Sequence, residues 1–241
     1  MTRADGRKYN ELREVTITPD FNKFAEGSVL IRCGDTVVLC TASVEERVPP
    51  HVRPGHGWVT AEYSMLPRAN RQRSRRDVDK LKLSSRSAEI QRLIGRSLRA
   101  AVDMKLLGER TITIDCDVLQ GDGGTRTASV TGGFVALALA CRWLVEEGYI
   151  GRTPIRHYVA GVSAGIVDDT AMLDLPYSED SRAQVDLNCV MNELGEIIEI
   201  QGTGEGRSFS VSEQQELVDL CAKGNRELIR KQKEILGEIL R

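Results

Sequence analysis

The feature that most constrains the fold is a glycine-rich stretch, residues 119–131, which lies between two different hydrophobic patterns. Before it, residues 111–118 alternate between apolar and polar side chains, which predicts a strand. After it, residues 128–147 form a long apolar run that ends at Gly148, which predicts a helix and its end. Three glycines within four positions allow the backbone to turn sharply and to approach a ligand closely. The sequence therefore predicts a strand, a tight turn and a helix with an open N-terminus.

The predicted turn has the chemistry of a phosphate cradle. The N–H groups of a first helical turn have no intrahelical acceptor, and the positive end of the helix dipole lies behind them. Arg126 adds a planar guanidinium that can bind two oxygens of one anion. An ordinary strand–helix loop with an exposed arginine is the alternative. Neither Gly-x-x-x-x-Gly-Lys-Ser/Thr nor Gly-x-Gly-x-x-Gly occurs here, so the turn is not a nucleotide-binding fingerprint.

The composition is typical of a soluble globular protein, with 41% hydrophobic and 28% charged residues. We expect no membrane span, because no apolar run reaches the roughly 18 residues that one needs. The N-terminus also lacks the apolar core of a signal peptide. The six cysteines are scattered without a Cys-x-x-Cys pair, which favours buried thiols in a reducing cytosol over disulfides or zinc. The sequence therefore predicts a cytoplasmic protein without a membrane partner.

The net charge of −2 conceals a strong segregation of charge. Residues 68–110 contain thirteen Lys or Arg against five Asp or Glu, so they carry +8 and the remainder carries −10. Within this segment, a run without apolar periodicity predicts an exposed, mobile arm that contains Arg68, Arg71, Arg73, Arg75 and Arg76. Arginine suits contact with a phosphate backbone, and the arm has no aromatic residue for base stacking. The arm is a candidate nucleic-acid-binding segment of low sequence specificity, with a solvated charge run as the alternative.

The first half of the chain contains further predicted elements. Residues 28–33 and 36–42 are typical of a hairpin with a two-residue Gly34-Asp35 turn, and residues 58–66 of a strand. A helix capped by Ser84 or Ser85 would carry Arg86 in its first turn, where an arginine is unfavourable unless an anion lies beside it. Its apolar face would contain Ile90, Leu93, Ile94, Leu98, Ala101 and Val102, and its outer face Arg92, Arg96 and Arg99.

In the second half we expect strands at residues 159–167, 171–175, 183–190 and 196–201, and a polar loop at 177–181. One or two helices would follow from Ser212. The elements are mixed rather than strictly alternating, which favours an α+β fold. Because there is no repeat and no low-complexity linker, we expect a single domain over residues 1–241, with a helical tail at about 212–241.

Asp180 and Asp186 are the second candidate chemical group. Asp186 would point to one face of its strand and Asp180 would lie at the loop end, so both could converge on a divalent cation. Mg²⁺ binds a couple of carboxylates together with waters and substrate phosphate oxygens. Ordinary turn and strand-edge acids are the alternative. The histidines do not suggest another metal site, because no carboxylate or cysteine lies at ligand spacing from His51, His56 or His157.

Together the motifs closely resemble those of the ribonuclease PH family, from Arg3 to about Phe209. The resemblance is carried by long matches in the same order, namely Asp5-Gly6-Arg7, residues 26–30, 57–68 and 89–100, residues 122–129, Glu179-Asp180-Ser181 and Gln201-Gly202-Thr203. Two positions depart from the usual family sequence. Ser85-Arg86-Ser87 stands in place of Gly-Arg-Thr, and Gln120-Gly121-Asp122 in place of Gln-Ala-Asp.

The resemblance implies a two-layer α/β sandwich with mixed sheets and packed helices, assembled as a homohexamer that is a trimer of dimers. It implies that Arg86, Gly124, Thr125 and Arg126 bind inorganic phosphate. It also implies that Asp180 and Asp186 are the catalytic residues and the ligands of Mg²⁺, and that the arginine arm guides RNA.

The implied activity is phosphorolytic 3′-to-5′ removal of nucleotides from tRNA precursors, and from rRNA, with release of nucleoside 5′-diphosphates. The reverse reaction is that of a tRNA nucleotidyltransferase, and DNA is not an expected partner. Two alternatives belong to other classes: a non-catalytic RNA-binding ring subunit of an exosome-like complex, and a kinase-like nucleotide binder. Loss of Arg126 or of the acidic pair would support the first, but all three residues are present. The missing nucleotide fingerprint disfavours the second.

Overall fold

Two β-sheets pack against one buried helix in the computed structural model, which describes residues 3–76 and 84–237. The first sheet has the order β1-β2-β3-β5-β4 and contains β1 (Val15–Pro19), β2 (Gly27–Cys33), β3 (Thr36–Glu45), β4 (Trp58–Met65) and β5 (Thr111–Gln120). The second sheet has the order β7-β6-β8-β9 and contains β6 (Val159–Val167), β7 (Thr170–Leu173), β8 (Val185–Asn192) and β9 (Ile197–Gly204). The helices are α1 (Ser85–Ala100), α2 (Met104–Leu107), α3 (Thr125–Glu146), α4 (Tyr177–Asp180) and α5 (Val211–Leu236).

The sheets are mixed, as predicted for an α+β fold. Strands β4 and β5 are parallel, whereas every other strand pair in the described residues is antiparallel. Helix α1 packs on β4, α5 packs on β6, β7 and β8, and α3 contacts both sheets. Each sheet therefore carries helices on one face, and α3 is shared between the two halves. The predicted α+β class is confirmed.

Helix α3 is apolar on all sides because it lies between the sheets. One side contacts β2 and β3, and another contacts β6. Among the described residues, α3 is long and apolar enough to cross a membrane, but 78% of its apolar window is buried inside the protein. The premise that no apolar run reaches that length was therefore wrong. The physical reason is that a helix covered by two sheets needs no polar face.

The local patterns located most elements correctly. The predicted hairpin is β2–β3, in which Cys33 pairs with Thr36 across the turn and Gly34 has φ +56°. Ser84 caps α1, because its Oγ accepts a hydrogen bond from the N–H of Ser87 at 3.0 Å. The six apolar residues predicted for that helix face are all buried. All six cysteines are free and buried, and burial raises the pKa of Cys33 to about 12.

Three predictions about local structure were wrong. Residues 177–180 form the short helix α4 instead of a polar loop, because the N–H groups of Glu179 and Asp180 donate to the carbonyl of Pro176. The strand that carries Asp186 begins at Val185 rather than at residue 183. Arg99 does not lie on the outer face of α1, since its guanidinium stacks 4.4 Å from the Trp58 ring and donates to the Val59 carbonyl at 2.9 Å.

The predicted helical tail is one helix, α5, that packs into the core. A capping box begins it, in which the Ser210 side chain accepts from the Glu213 N–H and the Glu213 side chain accepts from the Ser210 N–H. Leu217, Cys221 and Leu228 on α5 belong to the main hydrophobic core. Residues 238–241 of the predicted tail lie outside the described residues. The C-terminal segment is therefore a structural part of the second half.

Glycines allow β2 and α3 to approach closely. A Cβ on Gly27 would lie 2.1 Å from the carbonyl oxygen of Ala136, so no other residue fits without moving the helix. Gly151 provides a contrast, because a Cβ there would meet nothing within 4 Å.

We predict that Gly27→Ala lowers the free energy of unfolding by roughly 3 kcal/mol, because overpacking forces α3 away from the sheet. Gly151→Ala should change it by less than about 0.5 kcal/mol. Chemical denaturation of both variants measures the difference. Equal stability of the two variants would contradict the close packing of β2 and α3.

Candidate functional site

The glycine turn joins β5 to α3 in the conformation that a cradle requires. Gly123 and Gly124 have φ +74° and +65°, a region that glycine adopts easily. A Cβ on Gly123 would lie 2.3 Å from the carbonyl oxygen of Leu175, so the turn also packs tightly against the segment before α4. Helix α3 begins at Thr125, earlier than the sequence pattern indicated, and Gly124 is its N-cap.

The N-terminus of α3 offers several free hydrogen-bond donors. No side chain caps this helix. In the described part of the chain, the N–H groups of Gly123, Gly124 and Thr125 have no protein acceptor. These donors carry the positive end of the helix dipole, so an anion of phosphate size is the ligand that they suit.

Two guanidinium groups flank this helix end. Arg86 is exposed in the first turn of α1, and Arg126 is half-buried in the first turn of α3. The Arg126 Nη1 donates to Oε1 of Gln201 on β9 at 3.3 Å, which directs the side chain towards the second sheet. Burial raises the pKa of Tyr63, and the charges of Arg86 and Arg126 both oppose this rise. Both arginines therefore lie close to Tyr63, so the structure brings the predicted phosphate ligands together.

Tyr63 also orients Thr125. The two hydroxyl oxygens are 2.8 Å apart, and Tyr63 is buried on β4. Phosphate oxygens accept hydrogen bonds, so Thr125 can donate to one only if Tyr63 donates to Thr125. With Tyr63 as the donor, the hydroxyl hydrogen of Thr125 is available to a ligand.

The acidic pair faces the same arginines. Asp180 ends α4 and Asp186 lies on β8 next to β9. Burial raises the pKa of Asp180 above its usual value, against the lowering effect of Arg86 and Arg126. Burial and the charge of Asp180 raise the pKa of Asp186, while Arg126 lowers it. The two carboxylates and the two cradle arginines thus share one electrostatic site.

The acidic pair fits a hard divalent cation. The charges of Asp180 and Asp186 repel each other. In the described residues, the only side-chain hydrogen bond to the Asp186 carboxylate comes from Asn188 at 3.0 Å. No group of three or more His, Cys, Asp or Glu side chains that could hold a metal ion is present among residues 3–76 and 84–237. Mg²⁺ needs only one or two carboxylates when substrate phosphates and waters complete its shell. The histidines are elsewhere, with His157 beside Glu193 at 3.2 Å and His51 against the Trp58 ring.

The arginine arm begins beside the cradle. All five of its arginines, Arg68, Arg71, Arg73, Arg75 and Arg76, are exposed, and they lie in neither helix nor strand. The arm is anchored by Ala69, which is 3% exposed and whose carbonyl accepts from the Gly121 N–H at 2.8 Å. Residues 77–83 of the basic segment lie outside the described residues. Exposure is the predicted outcome, and the Ala69 contact attaches the start of the arm to the first residue of the glycine turn.

Sequence reasoning assigned no role to several polar residues that support the site. Tyr63, Gln201 and Asn188 lie on strands, and Arg13 precedes β1. Tyr63 and Gln201 lie within the motifs that carry the family resemblance, which was the available signal. Arg13 has no local signal, because its partner Asp174 is 161 residues away.

The chain matches two family models. Residues 11–142 match the 3′ exoribonuclease family, domain 1, and residues 157–224 match the 3′ exoribonuclease family, domain 2. Ribonuclease PH of Syntrophomonas wolfei is 56% identical over 238 residues, which cover 98% of this chain and 100% of that protein. Ribonuclease PH of Moorella thermoacetica is 54% identical over 240 residues, which cover 99% and 96% of the two chains.

Solved structures share the fold. An archaeal exosome core has TM-score 0.78 at 26% identity, covering 96% of this chain and 91% of that one. The Archaeoglobus fulgidus exosome with RNA bound to the active site has TM-score 0.81 at 24% identity, covering 95% and 92%. Rice (Oryza sativa) Rrp46 has TM-score 0.77 at 18% identity, covering 99% and 100%. The last two support the fold alone.

We predict that Asp186→Asn stabilises the protein at neutral pH by about 0.5–2 kcal/mol in buffer without divalent ions. Folding raises the pKa of Asp186, so the native state binds more protons than the unfolded state between the two pKa values. At a pH above the native-state pKa of Asp186, its ionised carboxylate therefore lowers the free energy of unfolding. At a pH below the pKa of Asp186 in the unfolded state, the residue is protonated in both states and the effect is absent.

Thermal denaturation at neutral pH and at about pH 3 measures this difference. Asp219→Asn, at an exposed position of α5, is the control and should change stability at neither pH. A less stable Asp186→Asn protein at neutral pH would contradict the electrostatic description of the pair.

Proposed function

The chain belongs to the ribonuclease PH family of 3′ exoribonucleases, and we propose that its cradle and acidic pair together carry out phosphorolysis of RNA 3′ ends. The enzyme is a phosphate-dependent 3′-to-5′ exoribonuclease and nucleotidyltransferase. The observation that carries the assignment of residues is the convergence of two guanidiniums, a free helix N-terminus and two carboxylates on one site. Transfer RNA precursors are the proposed substrate, in keeping with the family.

The reaction must bring two anions together. An oxygen of inorganic phosphate attacks the phosphorus of the last linkage, the bond from that phosphorus to the 3′ oxygen breaks, and a nucleoside 5′-diphosphate leaves. Phosphate is itself a competent nucleophile, so no activated Ser or Cys is needed. The protein must hold attacker and target in line and offset their repulsion.

The cradle holds the attacking phosphate. Arg86 and Arg126 supply positive charge, Arg126 from a side chain already directed by Gln201. The N–H groups of Gly124 and Thr125 and the Thr125 hydroxyl supply directed hydrogen bonds. Charge-assisted bonds of this kind are about twice as strong as neutral ones. These contacts fix the orientation of the nucleophile before attack.

The acidic pair acts on the other side of the reaction. Asp180 and Asp186 would hold Mg²⁺, which when bound neutralises charge on the scissile phosphate and the leaving oxygen. A carboxyl with a raised pKa can also deliver a proton to the leaving 3′ oxygen, and both residues have this property. The two roles differ in their response to added Mg²⁺, which rescues a weakened metal site but not a lost proton donor.

We also propose that the chain forms a single domain and assembles as a hexamer. Apolar residues of both sheets join one core around α3, which supports a single domain. Family likeness supports the trimer of dimers, and six buried free thiols support a cytoplasmic location. A non-catalytic ring subunit is disfavoured, because Arg86, Arg126 and both aspartates are present and brought together.

The activity is tested with an RNA that carries a short 3′ tail, incubated with Mg²⁺ in the presence or absence of phosphate. Nucleoside diphosphates that form only with phosphate support the proposal. Nucleoside monophosphates would show hydrolysis, and no product at all would support the binding subunit.

We predict that Arg126→Ala raises the phosphate concentration for half-maximal rate by about tenfold to several hundredfold, because a charge-assisted hydrogen bond is removed. Arg86→Ala should act similarly. Initial rates at varied phosphate, together with RNA affinity from filter binding, separate the effects. Unchanged phosphate saturation in either variant would show that the substituted arginine is not a phosphate ligand.

The arm should contribute salt-dependent RNA affinity. We predict that a variant with alanine in place of Arg71, Arg73, Arg75 and Arg76 binds RNA with a weaker salt dependence. The slope of the logarithm of the RNA-binding constant against the logarithm of the salt concentration should become shallower by roughly 0.7–0.9 for each RNA phosphate that the arm no longer neutralises. Turnover of an oligonucleotide too short to reach the arm should be nearly normal. Equal impairment on long and short RNA would instead indicate a role in folding or assembly.

A further inference from the structure

The N-terminal segment contributes a buried arginine that has no part in the chemistry above. Arg13 lies before β1, and its side chain is 6% exposed. Its Nη2 donates to Oδ1 of Asp174 at 2.7 Å and its Nε to Oδ2 at 3.1 Å, which makes a bidentate pair. Burial alone would raise the pKa of Asp174, but the Arg13 charge lowers it below its usual value. The two parallel hydrogen bonds of this ion pair hold Arg13 and Asp174 in a fixed relative orientation.

The same guanidinium holds the cradle turn. Nη1 of Arg13 donates to the carbonyl of Asp122, and Nη2 lies 3.4 Å from the carbonyl of Gly123. The buried Thr36 hydroxyl donates to the Gly123 carbonyl at 2.7 Å and accepts from the Asp122 N–H at 2.9 Å. Both carbonyls of the turn are therefore held from one side.

This anchoring sets the direction of the cradle donors. A peptide group is planar and trans, so its carbonyl and the following N–H point in opposite directions. With the carbonyls of Asp122 and Gly123 directed at Arg13 and Thr36, the N–H groups of Gly123 and Gly124 point away from these two residues. They are two of the three N–H groups at this helix end that have no protein acceptor in the described residues.

The other end of the network reaches the acidic pair. The Asp174 carbonyl accepts from Arg3 at 2.8 Å and from Arg7 at 3.1 Å. Arg3 also binds the buried carboxylate of Glu179, with Nε donating to Oε1 at 3.0 Å. Glu179 directly precedes Asp180 on α4. A continuous set of hydrogen bonds thus connects the cradle turn to the helix that carries Asp180.

We propose that Arg13, Asp174 and Thr36 are positioning residues that set the distance between the bound phosphate and the acidic pair. The proposal rests on the proposed function, because only an in-line attack makes this distance matter. Displacement of a reacting group by about 1 Å can cost on the order of a hundredfold in rate. None of the three needs to touch the substrate.

Thr36→Val is the sharpest test, because it keeps the side-chain shape and removes the hydroxyl that holds the turn. We expect kcat/KM for phosphate to fall by roughly tenfold to a hundredfold with RNA affinity unchanged. Thr36→Ser restores the hydroxyl and should restore most of kcat/KM. Arg13→Lys keeps a positive charge near Asp174 but cannot hold both carbonyls, so it should show the same phosphate-specific decrease.

Thr131→Val is the matched control. Thr131 is also buried, and its hydroxyl likewise accepts from the N–H and donates to the carbonyl of one backbone residue, Gly161, at 3.0 and 3.2 Å. Both hydrogen bonds of its hydroxyl go to β6 and neither goes to the turn, so removal of the hydroxyl should lower the melting temperature and leave kcat/KM for phosphate unchanged.

Wild-type kcat/KM in folded Thr36→Val and Arg13→Lys proteins would overturn the proposal. So would an equal decrease in Thr131→Val, or a parallel decrease in RNA affinity, since either would show a purely structural role. A wild-type enzyme that releases no nucleoside diphosphate would overturn the proposed function itself, and this result is distinguishable because it does not depend on the variants.

Discussion

The structure depends on burying α3 between two sheets while its N-terminus stays open. Gly27 lets β2 approach the helix on one side, and β6 packs against it on another. Enclosure of the apolar body fixes the direction of the helix, because displacement would open cavities or clashes in both sheets. The free N–H groups at its start therefore occupy a fixed place where the two halves meet. The cradle comes from the first half and the acidic pair from the second, so the site requires both.

Electrostatics at this junction are suited to a reaction between two anions. Arg86 and Arg126 lower the pKa values of Asp180 and Tyr63, yet burial keeps both above their usual values. The site thus holds positive charge for the attacking phosphate and carboxylates that lack full compensation. Incomplete compensation reduces stability, and it leaves the carboxylates available to a cation or a proton. Buried ion pairs behind the site, Arg13 with Asp174 and Arg3 with Glu179, hold these charges in place.

Local sequence pattern was sufficient for part of this structure. The strand, glycine turn and helix around Arg126, and the Ser84 cap that places Arg86, follow from periodicity and short-range hydrogen bonds. The polar segment that forms α4 gave no such signal, because four residues cannot show a helical period. The Arg3 side chain that binds Glu179 on this helix lies 176 residues away in sequence, so no local pattern shows the contact. Arg99 was misplaced for a related reason, since only the tertiary position of Trp58 offers it a ring to stack on.

The central claim is that the cradle and the acidic pair have separate tasks within one site. Equilibrium dialysis of labelled phosphate against the wild-type, Arg126→Ala and Asp186→Asn proteins, without RNA, tests this claim most directly. Arg126→Ala should weaken phosphate binding by at least about tenfold. Asp186→Asn should retain or improve it, because a nearby negative charge is removed. Equal phosphate binding by Arg126→Ala and wild type, or its abolition in Asp186→Asn, would contradict the account.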